Sequence, residues 1–213
     1  IKIVNNKKIL HSHSGASFGG FIIDIKISFS TINNILSTVE KYCIINKIQS
    51  IIMINTPLIY FKKQDESLNY LLLWNQYIQK ESYISHFTNL LGTSNIKSLI
   101  KKRKQRYLKD LLSKKEFAIN LSNNFNDFYN LLVKSKKDFN IKPTHSLKEI
   151  KVLNQLFPDK IQLLVSKHNN SVVGGSLLFF VSPKTCLVFY NIINHKFRNS
   201  QLSSLQLYHC MNR

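Results

Sequence analysis

The sequence predicts an α/β protein, and three observations carry that expectation. The first half alternates short apolar, β-branched runs with stretches of helical spacing, an order that implies layered α/β structure rather than a bundle or a sandwich. The second half holds three apolar runs separated by turn residues, the pattern of an antiparallel meander, followed by a helix. With 213 residues and 44% hydrophobic composition, the chain has the apolar material for a packed core in one or two domains.

Residues 8–10 read as a strand that runs into His11-Ser12-His13-Ser14-Gly15-Ala16-Ser17-Phe18-Gly19-Gly20. Three of the six glycines fall in this stretch, together with two imidazoles and three hydroxyls. Glycine either takes backbone angles closed to other residues or lets a ligand or another segment approach closely. The stretch is therefore a glycine-bulged hairpin whose hydroxyls satisfy turn amides, or a polar substrate pocket. A third reading makes His11 and His13 metal ligands, because an H-x-H pair on a strand points to one face. No nearby carboxylate or cysteine completes such a set, and no metal is expected.

Residues 21–28 alternate loosely and predict a strand. Residues 31–45 place Ile32, Ile35, Leu36, Val39 and Cys43 on one helical face, with Thr31 as the cap. Residues 50–55 form a short apolar run closed by Thr56-Pro57, which predicts a buried strand. A helix is predicted over 67–76, where Leu68, Leu71, Leu72 and Asn75 share a side, and a strand over 83–90.

Residues 95–113 keep helical spacing through Ile96, Leu99, Ile100, Tyr107, Leu108, Leu111 and Leu112. Basic residues crowd the other positions, so this helix is either a solvated connector or a phosphate-binding surface, with Lys101, Lys102, Arg103 and Arg106 as candidates. A new unit begins after Ser113, with a strand over 117–121 and a helix over 124–138 that aligns Phe125, Phe128, Tyr129 and Leu132. Ser146 and Glu149 form a capping box, so a further helix starts at Leu147 and stops at Phe157-Pro158. His145 stands just outside its N-terminus, where a neutral imidazole can accept a proton or a hydrogen bond. Strands over 161–167, 172–181 and 186–193 follow, and Gly174-Gly175 predicts a bulge or a close approach by another segment. A basic, amide-rich loop over 195–201 then feeds a helix over 202–211, a ready site for a pyrophosphate.

The net charge of +19 favours polyanionic partners, but only four of the thirty basic residues are arginine. The excess of Lys, Asn and Ile resembles AT-rich coding, which raises the charge without selection for nucleic acid. Clustering is more informative: between Lys97 and Lys115 there are nine basic residues and one acid, Asp110. Cys43, Cys186 and Cys210 are odd in number and widely spaced, which fits reduced thiols, and none is placed as a nucleophile. No apolar run reaches the roughly 18 residues that span a bilayer and no signal pattern opens the chain, so the expectation is a cytoplasmic protein. The chain starts mid-strand without a methionine, and upstream elements are expected to be missing.

The element order of the second half resembles the GNAT acyltransferase fold. The stretch from Ser12 to Gly20, the phrase Pro143-Thr144-His145-Ser146 with Glu149, and Phe157-Pro158 resemble the GNAT-type N-acyltransferases related to the Fem peptidoglycan aminoacyltransferases, over nearly all of the chain. The resemblance implies two GNAT-like units, each a mixed sheet flanked by helices and both incomplete: residues 1–94 and 115–213, joined by the basic helix over 95–114. It implies transfer of an acyl or aminoacyl group from acyl-CoA or aminoacyl-tRNA to an amine on a cell-envelope sugar or a peptidoglycan precursor. Under it, tRNA is a partner where aminoacyl-tRNA is the donor. His13, His145 and Tyr190 would be catalytic, with Ser14, Gly15, Ser17 and Thr144 against the substrate and Ile192, Arg198, Asn199 and Ser200 against the acyl carrier. The chemistry needs a base for the amine and donors for the oxyanion, which in this fold are backbone amides of the strand over 187–193. The loop from Arg198 to Ser204 lacks the glycines of acetyl-CoA-binding members, so fewer amides can turn toward a phosphate. The residues also leave open a non-catalytic RNA- or phosphate-binding module built on the basic helix, with Tyr107 alone beside the charges for base stacking.

Overall fold

A computed structural model describes every residue except 14, 15, 25, 62 and 64. It divides into two compact units, Ile1–Ser85 and His86–Arg213.

In the first unit, strand β1, Lys2–Val4, turns at Asn5-Asn6 into β2, Lys7–His11. Both asparagines take left-handed angles, φ 49° and 61°, as a two-residue hairpin turn requires. Helix α1, Phe29–Ile45, carries the chain over to β3, Ser50–Ile52, which pairs parallel with β2 and makes a mixed sheet of order β1-β2-β3. Helix α2, Ser67–Trp74, places Leu71 and Leu72 against Ile32 and Leu36 to form the core.

Three expectations along residues 21–90 are corrected. No strand forms among the described residues of 21–28; Phe21, Ile23 and Ile27 reach the core from an irregular segment, so apolar burial here needs no ladder. Ser28 rather than Thr31 caps α1, its hydroxyl accepting from the Thr31 amide at 3.2 Å, and the helix starts three residues before the apolar spacing does at Ile32. Residues 83–90 are also without regular structure. Tyr83, Ile84 and Phe87 are 79%, 89% and 73% exposed, and an apolar run forms a strand only where a neighbouring backbone completes its hydrogen bonds.

The second unit is a four-stranded sheet with helices on both faces. Strands β4 (Ala118–Leu121), β5 (Ile161–His168), β6 (Ser171–Ser182) and β7 (Thr185–Ile193) lie in sequence order and pair antiparallel throughout, so mixed pairing is confined to the first unit. Tight turns join β5, β6 and β7, which forces alternating directions. Alternation along the strands sends Leu164 and Leu178 to one face, where α3 (Lys102–Lys114) and α6 (Leu202–Met211) contribute Leu108, Leu111, Leu202 and Leu205. Leu163, Val165 and Leu177 point to the other face, against Phe128 and Leu132 of α4 (Phe125–Lys137) and Ile150 of α5 (Leu147–Leu156).

The continuous helix expected over 95–113 is broken. A 3-10 turn, Ile96–Leu99, is followed by Ile100 and Lys101 in extended conformation (ψ 136° and 137°), and only then does α3 begin. At Gly174-Gly175 both predicted features are present. Val173 is the extra residue of a bulge opposite Ser166 and Lys167, and a Cβ on Gly175 would stand 2.8 Å from both Phe128 Cδ2 and the Leu164 carbonyl oxygen.

Candidate active site

In the second unit the structure brings together three of the predicted residues around an irregularity in β7. Tyr190 pairs with Leu177 and Val188 with Leu178, so Phe189 between them is a bulge residue with no partner in β6. The bulge breaks the strict alternation of side chains. Phe189 and Tyr190 both pack toward α4 and α5, with their rings edge-on at 4.8 Å. Phe189 stacks on Phe179 at 4.8 Å, and the imidazole of His145 rests against Phe189 at 5.0 Å and Phe179 at 6.2 Å.

Tyr190 is 7% exposed, and its hydroxyl oxygen accepts a hydrogen bond from the backbone N–H of Thr144 at 3.1 Å. No acceptor among the described residues takes the phenolic hydrogen, so the hydroxyl is held in place and still able to donate. Nδ1 of His145 is buried without a hydrogen-bond partner among the described residues. A buried nitrogen in that state lacks one interaction that a substrate or water can supply. The capping box fixes the segment: the Glu149 carboxylate accepts from Ser146 N at 2.6 Å and Ser146 Oγ at 2.8 Å, and the Ser146 hydroxyl accepts from Glu149 N at 3.3 Å. Those bonds from Ser146 hold the Glu149 carboxyl below its ordinary value and leave it a cap rather than a base.

The predicted carrier-binding residues are more dispersed. Ile192 is a core residue whose carbonyl accepts from Gln206 Nε2 at 3.2 Å. Arg198 and Asn199 are exposed at the end of a 3-10 turn, His195–Phe197. The amides of Arg198 and Ser200 donate into that turn, and the Ser200 hydroxyl donates to the Phe197 carbonyl at 2.7 Å. Gln201 precedes α6 in a left-handed conformation, φ 61°, and its side chain does not cap the helix. The positive end of α6 and the Arg198 guanidinium are therefore the features here that suit a phosphate.

Sequence reasoning missed a polar seam between the sheet and α6. Asn191 accepts from Ser176 Oγ at 2.9 Å and donates to Ser203 Oγ at 3.0 Å, while fully buried Gln206 leaves its Oε1 without a partner. The available signal was an amide inside an apolar strand and another on an apolar helix face. Gly174 matches it, since a Cβ there would lie 2.6 Å from Gln206 Nε2.

In the first unit, the glycine stretch lies at the carboxyl ends of the parallel strands β2 and β3, the end at which open α/β sheets bind ligands. Ser12 N donates to the Ile52 carbonyl at 2.9 Å and Gly19 N to the Ile54 carbonyl at 2.7 Å, so the stretch leaves the sheet and returns to it. His13 is exposed at φ 48°, and its Cδ2 lies 2.5 Å from where a Gly19 Cβ would stand, so glycine is required there by the imidazole above it. Ser17 is exposed; Ser14 and Gly15, the other predicted substrate contacts, lie outside the described residues. Beside the stretch, Gly19, Phe21, Asn55, Asp65 and Asn69 line a small depression of about 20 Å³. Asn55 donates to Asn69 at 2.8 Å and Asn69 to Glu66 at 2.9 Å, while the buried Oδ1 of Asn55 has no partner among the described residues. Its acceptors suit a ligand that brings N–H or O–H groups.

Of the predicted phosphate ligands, Lys102 and Arg106 line a groove on α3, whereas Lys101 and Arg103 are exposed outside its lining. Burial pushes the thiols of Cys43 and Cys210 up, and that of Cys186 up to about 11; although Cys186 as a residue is exposed, its sulfur is desolvated. No group of three His, Cys, Asp or Glu side chains that could hold a metal ion occurs among the described residues. Among them, no helix is long and apolar enough to cross a membrane.

No family model matches the chain, and no curated protein does. Among solved structures, the chain is similar to an aminoglycoside acetyltransferase from an uncultured soil metagenomic sample, in complex with sisomicin. Identity is 10%, coverage is 46% of this chain and 70% of that one, and the TM-score is 0.38. A likeness that slight carries no conclusion about fold or activity.

Proposed function

We propose that the chain is part of a GNAT- or Fem-type N-acyltransferase. It moves an acyl or aminoacyl group from acyl-CoA or aminoacyl-tRNA to the amine of a cell-envelope sugar or peptidoglycan precursor in the cytoplasm. The observation that supports this reading is the bulge at Phe189, a residue without a pairing partner in β6, beside a buried phenol with a free hydrogen and an imidazole nitrogen without a partner among the described residues.

The chemistry follows from those groups. The amine attacks the acyl carbonyl, a C–N bond forms, and the negative charge on the carbonyl oxygen is met by the Phe189 amide. Collapse breaks the C–S or C–O bond to the carrier. Tyr190 gives its proton to the departing sulfur or oxygen, and Nδ1 of His145 takes the proton shed by the nitrogen. Thr144 orients Tyr190 through its backbone N–H, and Arg198 and Asn199 meet the carrier's phosphates at the start of α6. The part played by His13, with Ser14, Gly15 and Ser17, belongs to the first unit and is read from its own variant.

The test is acyl transfer by the whole chain to a panel of amino sugars, followed by thiol release from acetyl-CoA and by loss of the ester from aminoacyl-tRNA. Tyr190→Phe and His145→Phe keep the ring packing and remove the proton chemistry; each should lower turnover by roughly 10²-fold or more, with thermal unfolding unchanged in His145→Phe and stability lower by about 1 kcal/mol in Tyr190→Phe, which leaves the Thr144 N–H without its acceptor. His13→Ala is measured alongside them. Absence of transfer from both donors, or full activity in both ring-preserving variants, overturns the reading.

A further inference from the structure

The structure sorts the basic residues around α3 into those that have partners and those that do not. Lys104 donates to the Gln201 side chain, and Lys114 pairs with Asp110 at 2.8 Å. Lys97, Lys102, Arg106 and Lys109 instead line a groove of about 560 Å³ between the 3-10 turn Ile96–Leu99 and α3, with Gln105 and Leu108 completing its lining. Lys102, Arg106 and Lys109 follow the i, i+4, i+7 spacing of one helical face. No carboxylate lines the groove, because Asp110, the one acid of α3, is engaged by Lys114. Four like charges repel one another there, and an anion with several charges relieves the repulsion.

We infer that this groove binds a single-stranded nucleic acid through successive phosphates. Lys102 and Lys109 are roughly 10 Å apart along the helix axis at 1.5 Å per residue, room for more than one phosphate. The lining presents four cationic side chains, which suits binding through side-chain cations, as on a phosphodiester backbone. Leu108 adds an apolar side chain to the lining, which otherwise consists of cations and one amide. Binding in the groove does not depend on acyl transfer and is measured without it.

The experiment is fluorescence anisotropy of a labelled single-stranded oligoribonucleotide, about 12 nucleotides long, titrated with the whole chain over a series of salt concentrations. Two groove variants, Lys102→Ala/Arg106→Ala and Lys97→Ala/Lys109→Ala, are compared with Lys101→Ala/Arg103→Ala, which removes the same charge outside the groove. Alanine is the strongest helix former, so α3 persists, and circular dichroism verifies it. Each groove variant should bind at least about 10-fold more weakly and lower the slope of log affinity against log salt by about 1.4, the loss of two phosphate contacts. The control should stay within about threefold of the parent, because exposed charges outside the contact are screened. Equal losses in all three variants, complete displacement of the RNA by equimolar inorganic pyrophosphate, or retention on phosphatidylserine vesicles without RNA binding would each overturn the assignment.

Discussion

His145 shows how a residue that looks like a loop position on paper acquires two duties in space. Its ring packs on Phe179 and Phe189 while its Nδ1 stays without a partner. Truncation to alanine therefore removes packing as well as chemistry, and the phenylalanine variant separates the two. Gly175 is the opposite case, a residue that matters through what it lacks. A methyl group there meets the Leu164 carbonyl and the Phe128 ring at 2.8 Å, and neither backbone oxygen nor fully buried ring can give way cheaply. Gly175→Ala should cost about 1–3 kcal/mol, read as a lower urea midpoint with an unchanged slope. A midpoint equal to that of the parent would show that the sheet relaxes away from α4.

At the scale of elements, α3 is set by its ends rather than by its apolar spacing. Extended Ile100 and Lys101 delay its start, and Lys115 ends it in a left-handed conformation, φ 49°. A lysine there has its Cβ against the following carbonyl, a strain of about 1–2 kcal/mol that glycine avoids, offset by roughly 0.5–1 kcal/mol of extra chain entropy on unfolding. Lys115→Gly should thus raise stability by about 0.5–1 kcal/mol in chemical denaturation. A loss of stability would mean that the lysine side chain contributes more than the strain costs. Strand β7 makes the same point in a sheet, since its bulge, not its composition, decides that Phe189 and Tyr190 share a face.

At the scale of the whole molecule, the two units meet in sequence within a run of exposed apolar residues. Tyr83 and Phe87 are 79% and 73% exposed and carry no regular structure, the condition under which a protease gains access. Brief chymotrypsin digestion should cut first at one of these two sites, identified by mass spectrometry. First cuts within β5, β6 or β7 would show that the second unit opens before the connection does.

The sequence by itself determined the class, most of the elements and several local devices. Ser146 with Glu149 was legible as a capping box because both hydrogen bonds of that motif lie within four consecutive residues. The meander was legible because Asn169-Asn170 and Pro183-Lys184 punctuate apolar runs of strand length. Tertiary structure decided what depends on partners distant in sequence. Residues 21–28 and 83–90 have the composition of strands, and whether a backbone lies beside them to complete a ladder is not written in their own spacing. Likewise, charge density along residues 97–115 pointed to the cluster, but the choice of Lys97 and Lys109 over Lys101 and Arg103 came from which side chains line the groove between the 3-10 turn and α3, set by the break at Ile100 and Lys101. The meeting of Tyr190 with Thr144, 46 residues apart, required the sheet to place β7 beside the start of α5, because only folding brings a hydroxyl and an amide that far apart in sequence to 3.1 Å.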